Sequence, residues 1–162
     1  MRGGGNGGGE DGEGGAGNGG GSAPVIPVIG ETPERIIAGE TGLQKNLGYE
    51  NRLFADRCET HLIMDGRHTN RHDGLHGGIH AILLDSACGF AASRSLSDDG
   101  SQLVVTLSLT TNYLAAPKDD HIYAIARVTR AGRSVVYTEG KVFDGEDRLL
   151  ATGSAVLKKV GK

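Results

Sequence analysis

Cysteine is scarce in this 162-residue chain: Cys58 and Cys88 are the only two, and no CxxC pair is present. That argues against a disulfide framework or a zinc ribbon and leaves two buried free thiols as the expectation. Long apolar runs are also missing. Nothing approaches the roughly 20 consecutive apolar residues that cross a bilayer, and no apolar segment of signal-peptide type follows Met1-Arg2, so a cytoplasmic protein without a membrane partner is expected. Charge of one sign is lacking too. Of a formal net charge of -3, the first 22 residues supply -2 through Glu10, Asp11 and Glu13 against Arg2. A near-neutral body has no basic excess or stripe with which to hold nucleic acid.

Glycine, by contrast, is abundant and unevenly spread. Of 28 glycines, 13 fall in residues 1–22, a composition that cannot bury enough apolar surface to offset its ordering entropy. Pro24 and Pro27 then forbid a helix interior. Residues 1–30 therefore read as a disordered Gly-rich tail and an extended arm, and residues 31–162 as one folded domain.

Thr32-Pro33 has the form of a helix start, an N-cap followed by Pro at the first helical position, and predicts a short helix carrying Ile36, Ile37 and Leu43. Residues 52–65 alternate imperfectly and predict one strand ending at Asp65-Gly66. An apolar helix follows over 78–93. Strands are then expected over 103–114, 121–129, 134–143 and 148–157, with a hairpin turn at Arg130-Ala131-Gly132-Arg133. Closely spaced strands imply hairpins, hence an α+β domain with an antiparallel sheet packed on one long helix. The apolar residues of that helix run nearly all the way round it, so it should be enclosed, and a second copy of the chain would cover more of it.

One residue breaks the apolar run. Asp85 stands alone in Ile79-His80-Ala81-Ile82-Leu83-Leu84-Asp85-Ser86-Ala87-Cys88, and burying an unpaired carboxylate costs several kcal/mol in order of magnitude. A lone acid in such a place is a candidate for chemistry. Its plainer role is a structural acid bonded to a nearby Ser or Thr.

Asn70 lies six residues before His76-Gly77-Gly78, and Asp85 follows nine residues after the His. With Thr111-Asn112-Tyr113-Leu114, Arg130-Ala131-Gly132-Arg133 and Leu150-Ala151-Thr152-Gly153-Ser154, this spacing resembles the signature of the PaaI-like acyl-CoA thioesterases of hotdog fold, over residues 46–158. The resemblance implies an antiparallel sheet wrapped around a central helix, working as a homodimer or a dimer-of-dimers homotetramer. It implies hydrolysis of an acyl-CoA thioester to a free acid and coenzyme A, with no metal and no cofactor beyond the coenzyme A of the substrate.

The same resemblance assigns roles. Asp85 would be general base or nucleophile, in a site shared between protomers. The Gly77 backbone N–H would polarise the thioester carbonyl beside Gly78, Asn70 would orient water or carbonyl, and His76 would shape the oxyanion end. Thr106 would hold the attacking water. The pantetheine arm would pass Tyr113, and Arg130 and Arg133, with Arg94 and Lys118 as substitutes, would meet the phosphates. Thioester hydrolysis needs such parts: a carboxylate to activate water and a donor where negative charge develops. The rival expectations are a non-catalytic acyl-CoA-binding protein and, behind it, a hydratase or dehydratase of the same fold.

His68, His72, His76 and His80 recur at every fourth position, a spacing that on a continuous helix would stack imidazoles as metal ligands. Asn70, Asp73-Gly74 and Gly77-Gly78 break any such helix, so no metal site is expected.

Overall fold

The computed structural model describes Ile26 and residues 30–161. The expected tail and arm, Ile26 and Gly30 apart, lie outside the described residues. In chain order the elements are β1 (Arg35–Ala38), α1 (Gly42–Leu47), β2 (Glu50–Leu53), β3 (Cys58–Ile63), a 3-10 turn (Gly66–His68), α2 (Gly77–Leu96), β4 (Val104–Tyr113), β5 (His121–Ala131), β6 (Val135–Asp144) and β7 (Leu149–Lys159). The strands form one antiparallel sheet in the order β1-β2-β3-β5-β6-β7-β4. It wraps around α2 in the hotdog arrangement.

Five expectations are corrected. The segment after Pro33 is strand β1, because Ile36 and Ile37 are β-branched and pair with Arg52 and Asn51 of β2. The short helix starts later, at Thr41, whose hydroxyl accepts the Gln44 N–H while the Gln44 side chain accepts the Thr41 N–H. The single strand over 52–65 is two, β2 and β3, folded back at residues 54–57 by a bond from Phe54 N–H to the Arg57 carbonyl. The turn expected at Arg130–Arg133 is shorter, since β5 runs through Ala131. Lastly, β4 forms no hairpin with β5. It pairs with β7 alone at the sheet edge, and the chain then crosses to lay β5 beside β3.

Helix α2 begins at Gly77, one residue before the expected start, and every residue but Ser95 is buried or half-buried. Leu84 fixes its seat. Gly140 and Gly153 face one another across β6 and β7; a Cβ added at either would lie 2.8 or 3.0 Å from a Leu84 methyl. The two glycines form a notch that receives Leu84 and thereby sets the height of its neighbour Asp85. Cys58 and Cys88 are buried free thiols, as expected. Burial pushes the Cys88 thiol up to about 11 and the Cys58 thiol further still.

Candidate active site

Asp85 is half-buried on α2, against the edge strand β4. Its Oδ1 accepts a hydrogen bond from Thr106 Oγ1 at 2.7 Å. The register of β4 on β7 shifts between Thr106 and Ser108, a bulge of the kind that re-aims a side chain. A cavity of about 290 Å³ opens beside the pair, lined among others by Ser86, Gly89, Phe90 and Leu157. The bond to a hydroxyl matches the plainer structural role as well, but that acid would have no reason to face a cavity.

The N-terminus of α2 has four donors without helical acceptors, and their fates can be followed one by one. His76 N–H goes to the His68 carbonyl at 2.8 Å, Ile79 N–H to the His76 carbonyl at 2.9 Å, and Gly78 N–H to His76 Nδ1 at 2.9 Å. Gly77 N–H alone has no acceptor among the described residues. The His76 imidazole thus acts as N-cap, and because Nδ1 accepts, Nε2 carries the proton. A Cβ on Gly78 would lie 3.0 Å from that Nδ1, whereas one on Gly77 would meet only the Tyr113 ring at ordinary contact, 3.5 Å. Glycine at 78 makes room for the cap; glycine at 77 leaves the free N–H open to close approach.

The other expected residues fall in separate places. Asn70 closes a turn: its Oδ1 accepts the His72 and Gly74 N–H groups at 2.8 and 3.4 Å, leaving Nδ2 as the group it can offer. The positive φ in this turn belongs to Asp73, at 58°. Arg130 and Arg133 are exposed at the β5–β6 turn around a hollow of about 520 Å³, with no ion-pair partner among the described residues. Arg94 is paired with Glu34 at 2.6 Å. Tyr113 rests against Gly77 at the other end of β4.

These positions make two half-sites. Asp85 and Thr106 form one, and His76, Gly77, Gly78 and Tyr113 the other. Eight residues of helix separate Asp85 from Gly77, about 12 Å along the axis, so within one chain both do not reach the same carbonyl carbon.

The thioesterase superfamily model matches residues 72–151. A conserved protein of Pseudomonas aeruginosa, PA5202, superimposes with a TM-score of 0.68 at 30% identity, over 74% of this chain and 94% of that one. The chain belongs to the thioesterase superfamily. The BH2602 protein of Bacillus halodurans, solved with CoA, gives a TM-score of 0.61 at 29% identity, over 65% of this chain and 69% of its own. A 1,4-dihydroxy-2-naphthoyl-CoA hydrolase of Listeria monocytogenes serotype 1/2a is 30% identical over 76 residues, 47% of this chain and 60% of that protein.

In this superfamily member the matched segment contains both half-sites and both turn arginines and leaves out Asn70. In the sequence His80 is marked only by its place in the histidine repeat and in the apolar run. It is 5% exposed, and neither ring nitrogen has a hydrogen-bond partner. Burial holds its imidazole below the ordinary range, against a smaller opposing pull from the His76 carbonyl. The repeat itself dissolves: His68 is buried on the Leu47 carbonyl, His72 is exposed, His76 caps α2, and His80 faces the core. Among the described residues no three His, Cys, Asp or Glu side chains are grouped to hold a metal, and no helix is long and apolar enough to cross a membrane.

Proposed function

We propose that this chain is an acyl-CoA thioesterase of PaaI-like type, built from two copies that each lend half a site. Asp85 of one copy, steadied by Thr106, takes a proton from water as the water oxygen attacks the thioester carbon, or attacks it directly as nucleophile. The carbonyl oxygen, gaining charge, is met by the Gly77 N–H of the other copy, backed by the positive end of α2. The C–S bond breaks, the coenzyme A thiolate leaves and is protonated, and a free acid remains. Asn70 offers its Nδ2–H to water or carbonyl, and His76 holds the oxyanion end by capping. The pantetheine arm passes Tyr113 and the phosphates meet Arg130 and Arg133. The chemistry needs no metal or further cofactor, and a cytoplasmic setting belongs to the same reading.

The observation that carries this reading is the single unused donor at Gly77, at the end of a helix whose only acid opens onto a cavity. The CoA held by the Bacillus halodurans protein and the CoA-thioester hydrolase among the relatives support the substrate class. The pairing of two copies is supported by β4, an edge strand in which Leu107 is 57% exposed and which Leu103, 68% exposed, precedes, an uncovered apolar edge that invites a partner strand.

The test is free-thiol release from short, medium, long and aryl acyl-CoAs by the purified protein and its Asp85→Ala variant. A loss of about a hundredfold or more, within the range of acid–base catalysis, with acyl-CoA binding retained, is the expected result. Binding without release in both proteins would make the chain a binding module instead, and release that ignores Asp85→Ala would remove that residue from the mechanism.

A further inference from the structure

A donor stabilises a developing oxyanion only if it is already aimed before the reaction begins. Gly77 is poorly placed to aim itself: it is the first residue of α2, its N–H has no helical acceptor, and glycine has the widest backbone freedom of any residue. The peptide that carries this N–H is tied at its carbonyl end, by Ile79 N–H to the His76 oxygen, so a second contact at Gly77 is needed to fix its tilt. The His76 cap acts one residue further on, at Gly78.

Among the described residues the only side chain bonded to Gly77 is Tyr113, from the end of β4. Its hydroxyl donates to the Gly77 carbonyl at 3.2 Å, and its ring covers the same residue, with two ring carbons 3.5 and 3.6 Å from where a Cβ would stand. Behind the ring, His80 meets it edge-on, with centroids 5.6 Å apart and planes at 88°. The phenol is thus held between a buried imidazole and the backbone it bonds. Tyr113 is 57% exposed, so water competes for its hydroxyl, and the packing of the ring on both sides is what keeps the bond in place.

We infer that Tyr113 is a positioning residue for the Gly77 N–H, fixing the Gly77 backbone through the carbonyl that follows its Cα and through its face, so that the donor on the preceding peptide points at the carbonyl oxygen of the substrate. This rests on the thioesterase reading above. It assigns the hydroxyl a task distinct from lining the pantetheine path, and the two tasks fail differently.

Tyr113→Phe keeps the ring and removes the hydroxyl. In the free, full-length protein labelled with 15N-glycine, with the Gly77 resonance assigned through Gly77→Ala, the Gly77 amide is expected to shift and its order parameter to fall as the peptide loosens. With the best acyl-CoA, kcat should fall about fivefold to tenfold, as loss of one hydrogen bond implies, while KM stays within about twofold. A CoA analogue with a ketone in place of the thioester should lose its affinity advantage over the matching alkyl-CoA, because only the ketone uses the donor. An unmoved Gly77 amide, equal weakening of both analogues, or a raised KM at constant kcat overturns the assignment and leaves the thioesterase reading intact. A wild-type protein that hydrolyses no acyl-CoA overturns that reading, and the role of Tyr113 falls with it.

Discussion

Gly77 and Gly78 are adjacent, identical in chemistry and opposite in what they tolerate. An alanine at 78 would press on the His76 cap at 3.0 Å, whereas one at 77 would touch Tyr113 at ordinary contact distance. Gly78→Ala should therefore cost about 0.5–2 kcal/mol by dislodging the cap. Gly77→Ala should leave the melting temperature unchanged or slightly raised, since alanine is the better helix former by up to about 1 kcal/mol, yet cut thiol release at least about tenfold by shielding the donor. Thermal melts read by circular dichroism beside thiol assays separate the two. Equal activity of Gly77→Ala and wild type would take the oxyanion role away from that residue. The spacing of Asn70, Gly77 and Asp85 was legible in the sequence because turn, cap and helix are local. The bond from Tyr113 to Gly77 was not, since it depends on how an edge strand meets a helix 36 residues away in the chain.

Among the elements, α2 could be read almost residue for residue, because an apolar stretch opened by two glycines has few other ways to fold. The first strand could not. Thr32-Pro33 offers a helix start that pairing with β2 overrides, while the real one is signalled by Thr41 followed three residues later by Gln44. The place of β4 was hidden as well, because closeness in sequence suggests a hairpin and only the burial of the sheet decides otherwise. The seat of α2 yields its own prediction. Gly153→Ala would set a Cβ 3.0 Å from both a Leu84 methyl and the Thr110 carbonyl, an overpacking worth about 1–3 kcal/mol. Thiol release should drop with it although no site residue is altered, because Asp85 moves with Leu84. A variant that melts lower but turns over normally would show that the notch supports stability alone.

For the molecule as a whole, acidity should be the main enemy of stability. His61, His80 and His121 are all held below their ordinary value of 6.5, in each case chiefly by burial. His61 Nε2 is bonded to Glu59 at 2.9 Å, so His61 Nδ1 must accept from His121 Nε2, 3.0 Å away, and protonating both rings would break this chain of bonds. The unfolded chain binds protons at these groups more readily than the folded one, so their contribution is complete above about pH 6.5 and is lost as the pH falls below it. Glu59, depressed through His61 and Arg57 against its own burial, adds to the loss below its ordinary 4.5. Melting temperatures taken from pH 8 down to pH 5 should decline below the neutral range; a flat profile would contradict the burial of these rings. The pairing of half-sites is checked by mixing Asp85→Ala and Gly77→Ala chains after joint refolding. Random pairing should restore about a quarter of wild-type activity, since half of the dimers then carry one unaltered site, while two chains that each hold a complete site would restore none. The notch beneath Leu84 has a consequence for how the sheet assembles. If β6 slides on β7 by two residues, the inward faces are kept, but Thr138 or Val142 replaces Gly140 opposite Gly153 and its side chain occupies the place of the leucine. The helix can close only over correctly registered strands, so the glycine pair proofreads the sheet, and a mispaired chain is left with an open core rather than a faulty enzyme.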